Sequence, residues 1–484
     1  MSIRKSLTFG FIYTGLAKYS NLIINIIIGA VLARLLTPNE FGIVALVTVF
    51  VSFFSLLSNF GLAPAVVQNN SLSKNDIRSI FSFSILIGFI FATIFYLGAP
   101  LIASFYNEPK LVTVSKLLSI SVLFHSLEII PKALFQKALK FKQIGIITVS
   151  VQLFSGIIAV ILALKNFSYY ALVYRSILVG LISLVIFYWL APIKLNFKIE
   201  ITSIKKIIKF SSFNFMFNLI NYFSRNVDNI LIGKFFNPAA LGFYDKAYQL
   251  MRMPVQNLTH VISPVLMPVL SKYQDDEEVV YNTYKKIVQI LATIGFPLSI
   301  YLYFSASEII NIIYGPQWDQ SIPVFKLFAL SIGFQMINAI GGAIYQAINR
   351  TDLLFYFGLI NSISMIGGIL YGILIGKSLE AVGYGLFFAF ILSFFLGFYF
   401  LISKALSRSL YLFLPLFKIP IILSVSVFLS LHLISNFPIN SIILSAILKL
   451  LTAVITFVIV FSLFKSNREL LRRELKKKKY KNEV

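Results

Sequence analysis

Long apolar runs separated by short polar connections dominate the chain. Cut by length, they give about fourteen runs of roughly 20 residues or more, each able to cross a bilayer as a helix. They lie near 8–35, 41–66, 79–104, 112–136, 144–164, 168–192, 208–236, 239–270, 284–306, 321–348, 354–376, 379–403, 413–434 and 439–464. This pattern predicts an all-α integral membrane protein. Two neighbouring runs carry far more polarity than the rest. In the seventh, Asn214, Asn218, Asn221, Tyr222, Arg225, Asp228 and Asn229 share one face at helical spacing. In the eighth, beyond a turn at Asn237 and Pro238, so do Asp245, Tyr248, Gln249, Arg252, Gln256, Thr259, His260 and Ser263. A charge near the middle of a spanning helix costs about 3 kcal/mol, so such side chains face a protein-lined or watery interior. Two adjacent polar faces imply a cavity, and a charged central cavity makes a membrane protein a transporter candidate.

The first run has its own polar line in Thr14, Lys18, Asn21 and Asn25. About two hundred residues later stand Asn214, Asn218, Asn221 and Arg225. The register continues through the next turn, where Arg34 to Gly42 matches Lys234 to Gly242, and on to Pro64 against Pro264 and Asp76 against Asp276. Further along, Ser104 to Pro109 answers Ile312 to Pro316 and Leu134 to Gln136 answers Ile344 to Gln346, with the offset growing to about 210. The chain is an internal duplication of six runs each. Six is even, so the copies enter the membrane in the same direction and form a parallel repeat about an axis along its normal. The expected organisation is an N-lobe at 1–200, a C-lobe at 201–406, a central cavity between them where runs 1, 2, 7 and 8 meet, two peripheral helices in 407–464, and a basic cytoplasmic tail at 465–484. Pro254, Pro264 and Pro268 fall in the eighth run, where they free backbone carbonyls and should break or bend the helix. Two readings are open for Pro254 and Pro264: a hinge for alternating access, or a static kink.

Composition narrows the class. With 58% hydrophobic and 12% charged residues and a mean hydropathy of +0.86, a soluble domain is excluded. The absence of Cys removes disulfides, thiolate chemistry and Cys-ligated metals. His125, His260 and His432 lie far apart without paired spacing, so no metal site is expected. The net charge of +24 invites a nucleic-acid reading, and its distribution rejects it. About 29 Lys and Arg fall in connections on one side and in the tail, against about 5 on the other, namely Arg34, Lys110, Lys165, Lys234 and Lys377. The positive-inside rule then places both termini in the cytoplasm. Arg4 and Lys5 precede the first run as in a signal peptide, yet the run continues past Ala33 without a cleavage pattern and reads as the first membrane helix. The tail, with Lys476 to Lys479, reads as an anchor on anionic inner-leaflet lipid, a specific partner site being the other reading. Gly372 to Ser378 resembles a phosphate loop but is one residue short, and Asp275 to Glu278 reads as a solvated segment.

Charges placed toward the centre are Lys18, Arg175, Arg225, Lys246 and Arg252, against Asp228 and Asp245. A positive surplus favours an anionic cargo, and Arg can grip phosphate oxygens through two parallel hydrogen bonds. A cation or drug antiporter would more naturally show surplus Asp and Glu. The candidate lining is Lys18, Asn21, Asn25, Arg175, Asn218, Asn221, Arg225, Asp228, Gln249, Arg252 and Gln256. Blander readings stand beside it. Arg225 and Asp228 can neutralise each other as a buried pair, Lys246 and Arg175 can snorkel outward, His260 can be an interior hydrogen-bonded histidine, and His125 and Glu128 can bond each other. No catalytic residue, metal or cofactor is expected, and coupling to Na+ or H+ is open.

The turn Thr37 to Gly42, the run Asn59 to Gln68, the loop Phe105 to Pro109 and the segment Pro131 to Gln136 carry a resemblance. With them the chain resembles the polysaccharide flippases of the multidrug/oligosaccharidyl-lipid/polysaccharide exporter superfamily, in the branch associated with colanic acid and teichuronic acid. The resemblance is densest from residue 1 to about 145 and extends thinly to about 405. It implies a two-lobed helical fold in the bacterial cytoplasmic (inner) membrane. That fold would move undecaprenyl-pyrophosphate-linked oligosaccharide repeat units to the outer leaflet for surface polysaccharide biosynthesis. Implied partners are that lipid-linked oligosaccharide, anionic membrane lipids and other polysaccharide-assembly membrane proteins, with no nucleic acid. The motifs mark turns and packing, so no substrate-binding residue carries over from them. The rival is a cation-coupled drug antiporter of the same superfamily. A membrane polymerase or glycosyltransferase is disfavoured, since it needs a sizeable outer loop or an exposed acidic cluster and the outer connections are short.

Overall fold

The computed structural model describes residues 3–69, 71–195, 200–274 and 276–464. Among them there is no strand. The helices are α1 (Ile3–Leu35), α2 (Pro38–Asn59), α3 (Leu62–Gln68), α4 (Lys74–Tyr106), α5 (Leu111–Lys137), α6 (Phe141–Leu164), α7 (Tyr170–Leu190) and α8 (Ile201–Phe235). They continue as α9 (Pro238–Leu270), α10 (Glu277–Phe304), α11 (Ala306–Ile313), α12 (Ser321–Ala347), α13 (Thr351–Leu370), α14 (Leu379–Phe398), α15 (Lys418–Ser435) and α16 (Ile442–Leu463). Leaving out the short α3 and α11, these sixteen helices include fourteen long ones, one for each apolar run. Among the described residues, twelve spans are long and apolar enough to cross a membrane. None of these twelve falls in α8 or α9, the pair in which the sequence concentrates polar residues.

Helix starts are written locally. Before α2, the Thr37 hydroxyl accepts from the Glu40 backbone N–H while the Glu40 carboxylate accepts from the Thr37 N–H at 2.7 Å, a reciprocal capping box. Ser73 and Asp76 do the same for α4, and Asp276 caps α10. The repeat mate of the Thr37 turn is capped by Asn237, whose Oδ1 accepts from the Ala240 N–H at 2.8 Å. The prolines of α9 do not interrupt it: helix runs unbroken through Pro254, Pro264 and Pro268.

Burial follows a bilayer rather than water. On α4, Leu86, Phe89, Ile90, Ile94, Leu97 and Leu101 recur at helical spacing on one face and are all exposed, Leu101 to 75%. Apolar stripes of this size are untenable in water and ordinary against lipid tails. The opposite seams are packed. Ile28, Leu32 and Leu36 of α1 close on Ala159 and Ala163 of α6 and Ala171 of α7. Leu62, Ala65 and Val66 of α3 meet Ile80 and Phe81 of α4, Ile130 and Ala133 of α5, and Ile207 of α8.

The chain forms two compact units, Met1–Phe243 and Tyr244–Val484. In the first, α4 packs on α5, α5 on α7 and α6 on α7; in the second, α10 packs on α12, α12 on α14 and α13 on α14. Each unit therefore carries the same arrangement of four equivalent helices. The units divide after Phe243, whereas the sequence repeat divides near residue 200, because α8 packs with α2, α3 and α4 in the first unit. The matched turns meet reciprocally. A Cβ on Gly42 would lie 1.6 Å from the Pro238 carbonyl oxygen, and one on Gly242 would lie 2.2 Å from that of Pro38. Only glycine permits both approaches. In the second unit the additional helices dock on the repeat, α15 against α10 and α16 against α11. There Lys449 reaches the buried Glu308 carboxylate and the Phe304 carbonyl, and Ser445 donates to Glu308 at 2.8 Å. Burial alone would raise the Glu308 carboxyl, but Lys449 and Ser445 outweigh it and hold the group below the usual range.

Candidate functional site

The first unit builds a charged site in its interior. Arg175, one turn into α7, is half-buried and turns toward α1 and α6. One Nη2 donates to Asn25 Oδ1 at 2.7 Å and to Gln152 Oε1 at 3.3 Å. Asn25 in turn donates to the Asn21 carbonyl at 2.9 Å, and the Asn21 side-chain oxygen is buried without a hydrogen-bond partner. Among the described residues no carboxylate pairs with Arg175. Neutral amides orient the guanidinium without cancelling its charge. The arrangement can take an anion on the open fork, with flanking amides left to bond hydroxyls.

The structure places the other candidates in several settings. Lys18 is exposed on α1. Asn218 is half-buried, and Asp228 is buried with an oxygen accepting from the Asn229 N–H at 2.9 Å. On α9, Gln249 and Arg252 are exposed; Arg252 lies 5.7 Å over the Tyr248 ring. With the Gln256 amide oxygen turned toward it, Arg252 donates through Nε at 3.1 Å and Nη2 at 2.7 Å. Pro254 is half-buried. The side chains of Asn221, Arg225, His260 and Pro264, and the tail 465–484, lie outside the described residues. Lys246 is buried, 5.4 Å over the Tyr314 ring and 5.9 Å over that of the fully buried Trp318. Glu128 is paired at 2.8 Å with Lys132 on its own helix, with His125 Nδ1 at 3.8 Å.

Sequence reasoning missed Gln152. A lone amide in the middle of an apolar run is the signal that marks it, one helical turn after the small Thr148.

Two compact helical units, apolar outer stripes and a cation held on amides inside a membrane-spanning bundle define a multi-pass membrane protein with the flippase and exporter fold. The lipid II flippase MurJ in an inward closed conformation superposes with a TM-score of 0.76 at 17% identity, covering 95% of this chain and 100% of that one. An inward-facing multidrug resistance transporter of the MATE family follows with a TM-score of 0.65 at 11% identity, covering 80% and 94%. The chain belongs to the polysaccharide biosynthesis protein family, whose model it matches over residues 31–323. It is 25% identical over 369 residues to the teichuronic acid biosynthesis protein TuaB of Bacillus subtilis, covering 74% of each chain. It is likewise 25% identical over 392 residues to the lipopolysaccharide biosynthesis protein WzxC of Escherichia coli, covering 78% of this chain and 77% of that one. The resemblance carried by the Thr37 to Gly42 turn and its companions is thereby borne out.

Proposed function

We propose that this protein is a flippase that moves undecaprenyl-pyrophosphate-linked oligosaccharide repeat units from the cytoplasmic to the outer leaflet of the bacterial inner membrane. Both termini lie in the cytoplasm in this reading, as the charge asymmetry of the connections requires. Relatives named for teichuronic acid and lipopolysaccharide biosynthesis support the cargo class. The observation that carries the mechanism is Arg175, a cation inside the bundle oriented by Asn25 and Gln152 and, among the described residues, without a carboxylate partner.

A diphosphate entering such a cavity supplies the missing counter-charge. Its oxygens take the guanidinium fork, and the amides of Asn21, Asn25, Gln152 and Asn218 bond sugar hydroxyls. Arg225 and Arg252 are the further cationic candidates that the sequence offers. Alternating access then releases the headgroup on the other side while the prenyl chain stays in lipid. A proton-coupled or sodium-coupled drug antiporter shares the fold, and the surplus of Lys and Arg over Asp and Glu among the central charges speaks against it.

Arg175→Ala, Arg225→Ala and Arg252→Ala should each lower surface polysaccharide on the order of tenfold, the worth of a hydrogen bond to a charged group, with protein in the membrane unchanged. Normal surface polysaccharide in all three would sink the cationic cavity.

A further inference from the structure

The repeat predicts that α1 and α8 are equivalent helices, yet they are held in different ways. α1 lies on α6 through the apolar seam of Ile28, Leu32 and Leu36. α8 lies on α2, α3 and α4, and much of its attachment is polar. Asp76, at the start of α4, is buried and accepts five hydrogen bonds from four donor groups. Ser73 N and Oγ reach Oδ2 at 2.8 Å each, Ser203 Oγ reaches Oδ1 at 2.7 Å, and Lys206 Nζ reaches both oxygens at 2.9 and 2.8 Å. Two of those donor side chains come from α8. Beside them, Asn69 Nδ2 donates to the Lys206 carbonyl at 3.4 Å, and Lys137 Nζ fixes Asn69 by its own carbonyl at 2.6 Å. One turn on, Ser211 Oγ donates at 3.3 Å to the carbonyl of Gly61, whose φ of +70° and close approach to Ser211 require glycine.

We propose that 201–211 is a clasp: the first turns of α8 dock on α3 and α4 through Asp76 and undock as a unit. Among the described residues Ile207 is the α8 side chain in the apolar core of α3, α4 and α5. The other ties are two hydrogen bonds to carbonyls, the Ser203 bond to the Asp76 carboxylate, and an ion pair whose Lys206 is 45% exposed. Water replaces such ties at small net cost. The clasp is a discrete two-state contact of the kind that conformational cycles use. Its purpose rests on the transporter reading, but its existence does not.

The natural chain has no cysteine, so single reporters are unambiguous. Ser203→Cys places a thiol where exposure is 0%, and Lys205→Cys places an exposed control two residues away. In the purified full chain, maleimide should label Ser203→Cys far more slowly than Lys205→Cys. Adding Lys206→Met should speed Ser203→Cys about tenfold and leave Lys205→Cys unchanged. A Ser203→Cys thiol that stays unreactive with or without Lys206→Met overturns the clasp, as does one that reacts as fast as the control in both. Hydrogen exchange of the unsubstituted chain reads the same opening without any variant. The amides of 201–211 should exchange together and ahead of those of α5; protection equal to α5 overturns the proposal. Neither readout depends on the cargo.

Discussion

Arg175 shows how far a single side chain can be read from sequence. Its charge and the polarity of Asn21 and Asn25 are legible in otherwise apolar runs, but the direction in which Arg175 points is not. Snorkelling outward and lining the interior fit the same letters. The structure turns it inward, to Asn25 and to Gln152. Gln152 escaped notice because its neighbours on that face of α6, Thr148 and Ser155, are small hydroxyls and none of the three is charged. Gln152→Ala should cost less than Arg175→Ala, a few-fold in surface polysaccharide, since it removes one 3.3 Å neutral acceptor and leaves the charge in place. Arg175→Lys should restore only part of the activity, because an ammonium cannot offer the parallel fork. Equal loss in Gln152→Ala and Arg175→Ala, measured side by side, would mean that Arg175 acts only as packing.

At the scale of elements, helix positions were legible because hydropathy and capping agree, and the caps of Thr37, Ser73 and Asp276 fall at the starts of their helices. The effect of proline was less legible. Pro254, Pro264 and Pro268 each remove one donor, and α9 keeps its helical path through all three. The reciprocal meeting of Gly42 with Pro238 was invisible as a contact, although both residues stood in the matched motif. Gly42→Leu should destabilise the solubilised protein by about 3 kcal/mol or more, since the obstructing atom is a backbone oxygen; thermal unfolding checks this. The docking of α16 was equally unreadable, because Glu308 and Lys449 lie far apart in sequence. Glu308→Gln should cost about 3–5 kcal/mol by leaving Lys449 buried without its counter-charge. The folded carboxyl titrates below its unfolded value, so its contribution is full above the ordinary glutamate range. It is lost as the pH falls through the depressed value. Unfolding temperature in the wild-type chain should therefore drop more steeply on acidification than in Glu308→Gln.

The whole molecule was legible as a duplicated helical membrane protein, because the repeat of Arg34 to Gly42 at Lys234 to Gly242 survives in the turns. The place where the compact units divide was not, since a repeat boundary near residue 200 carries no information about which helices α8 packs against. Function at this scale rests on the family and on an interior cation held by amides. The most direct test is mass spectrometry of lipid-linked oligosaccharides, paired with a surface-polysaccharide assay, in the native host with and without this gene. Loss of the protein should make complete prenyl-pyrophosphate repeat units accumulate while surface polymer disappears. Unchanged pools, or truncated repeat units, would contradict the flippase account.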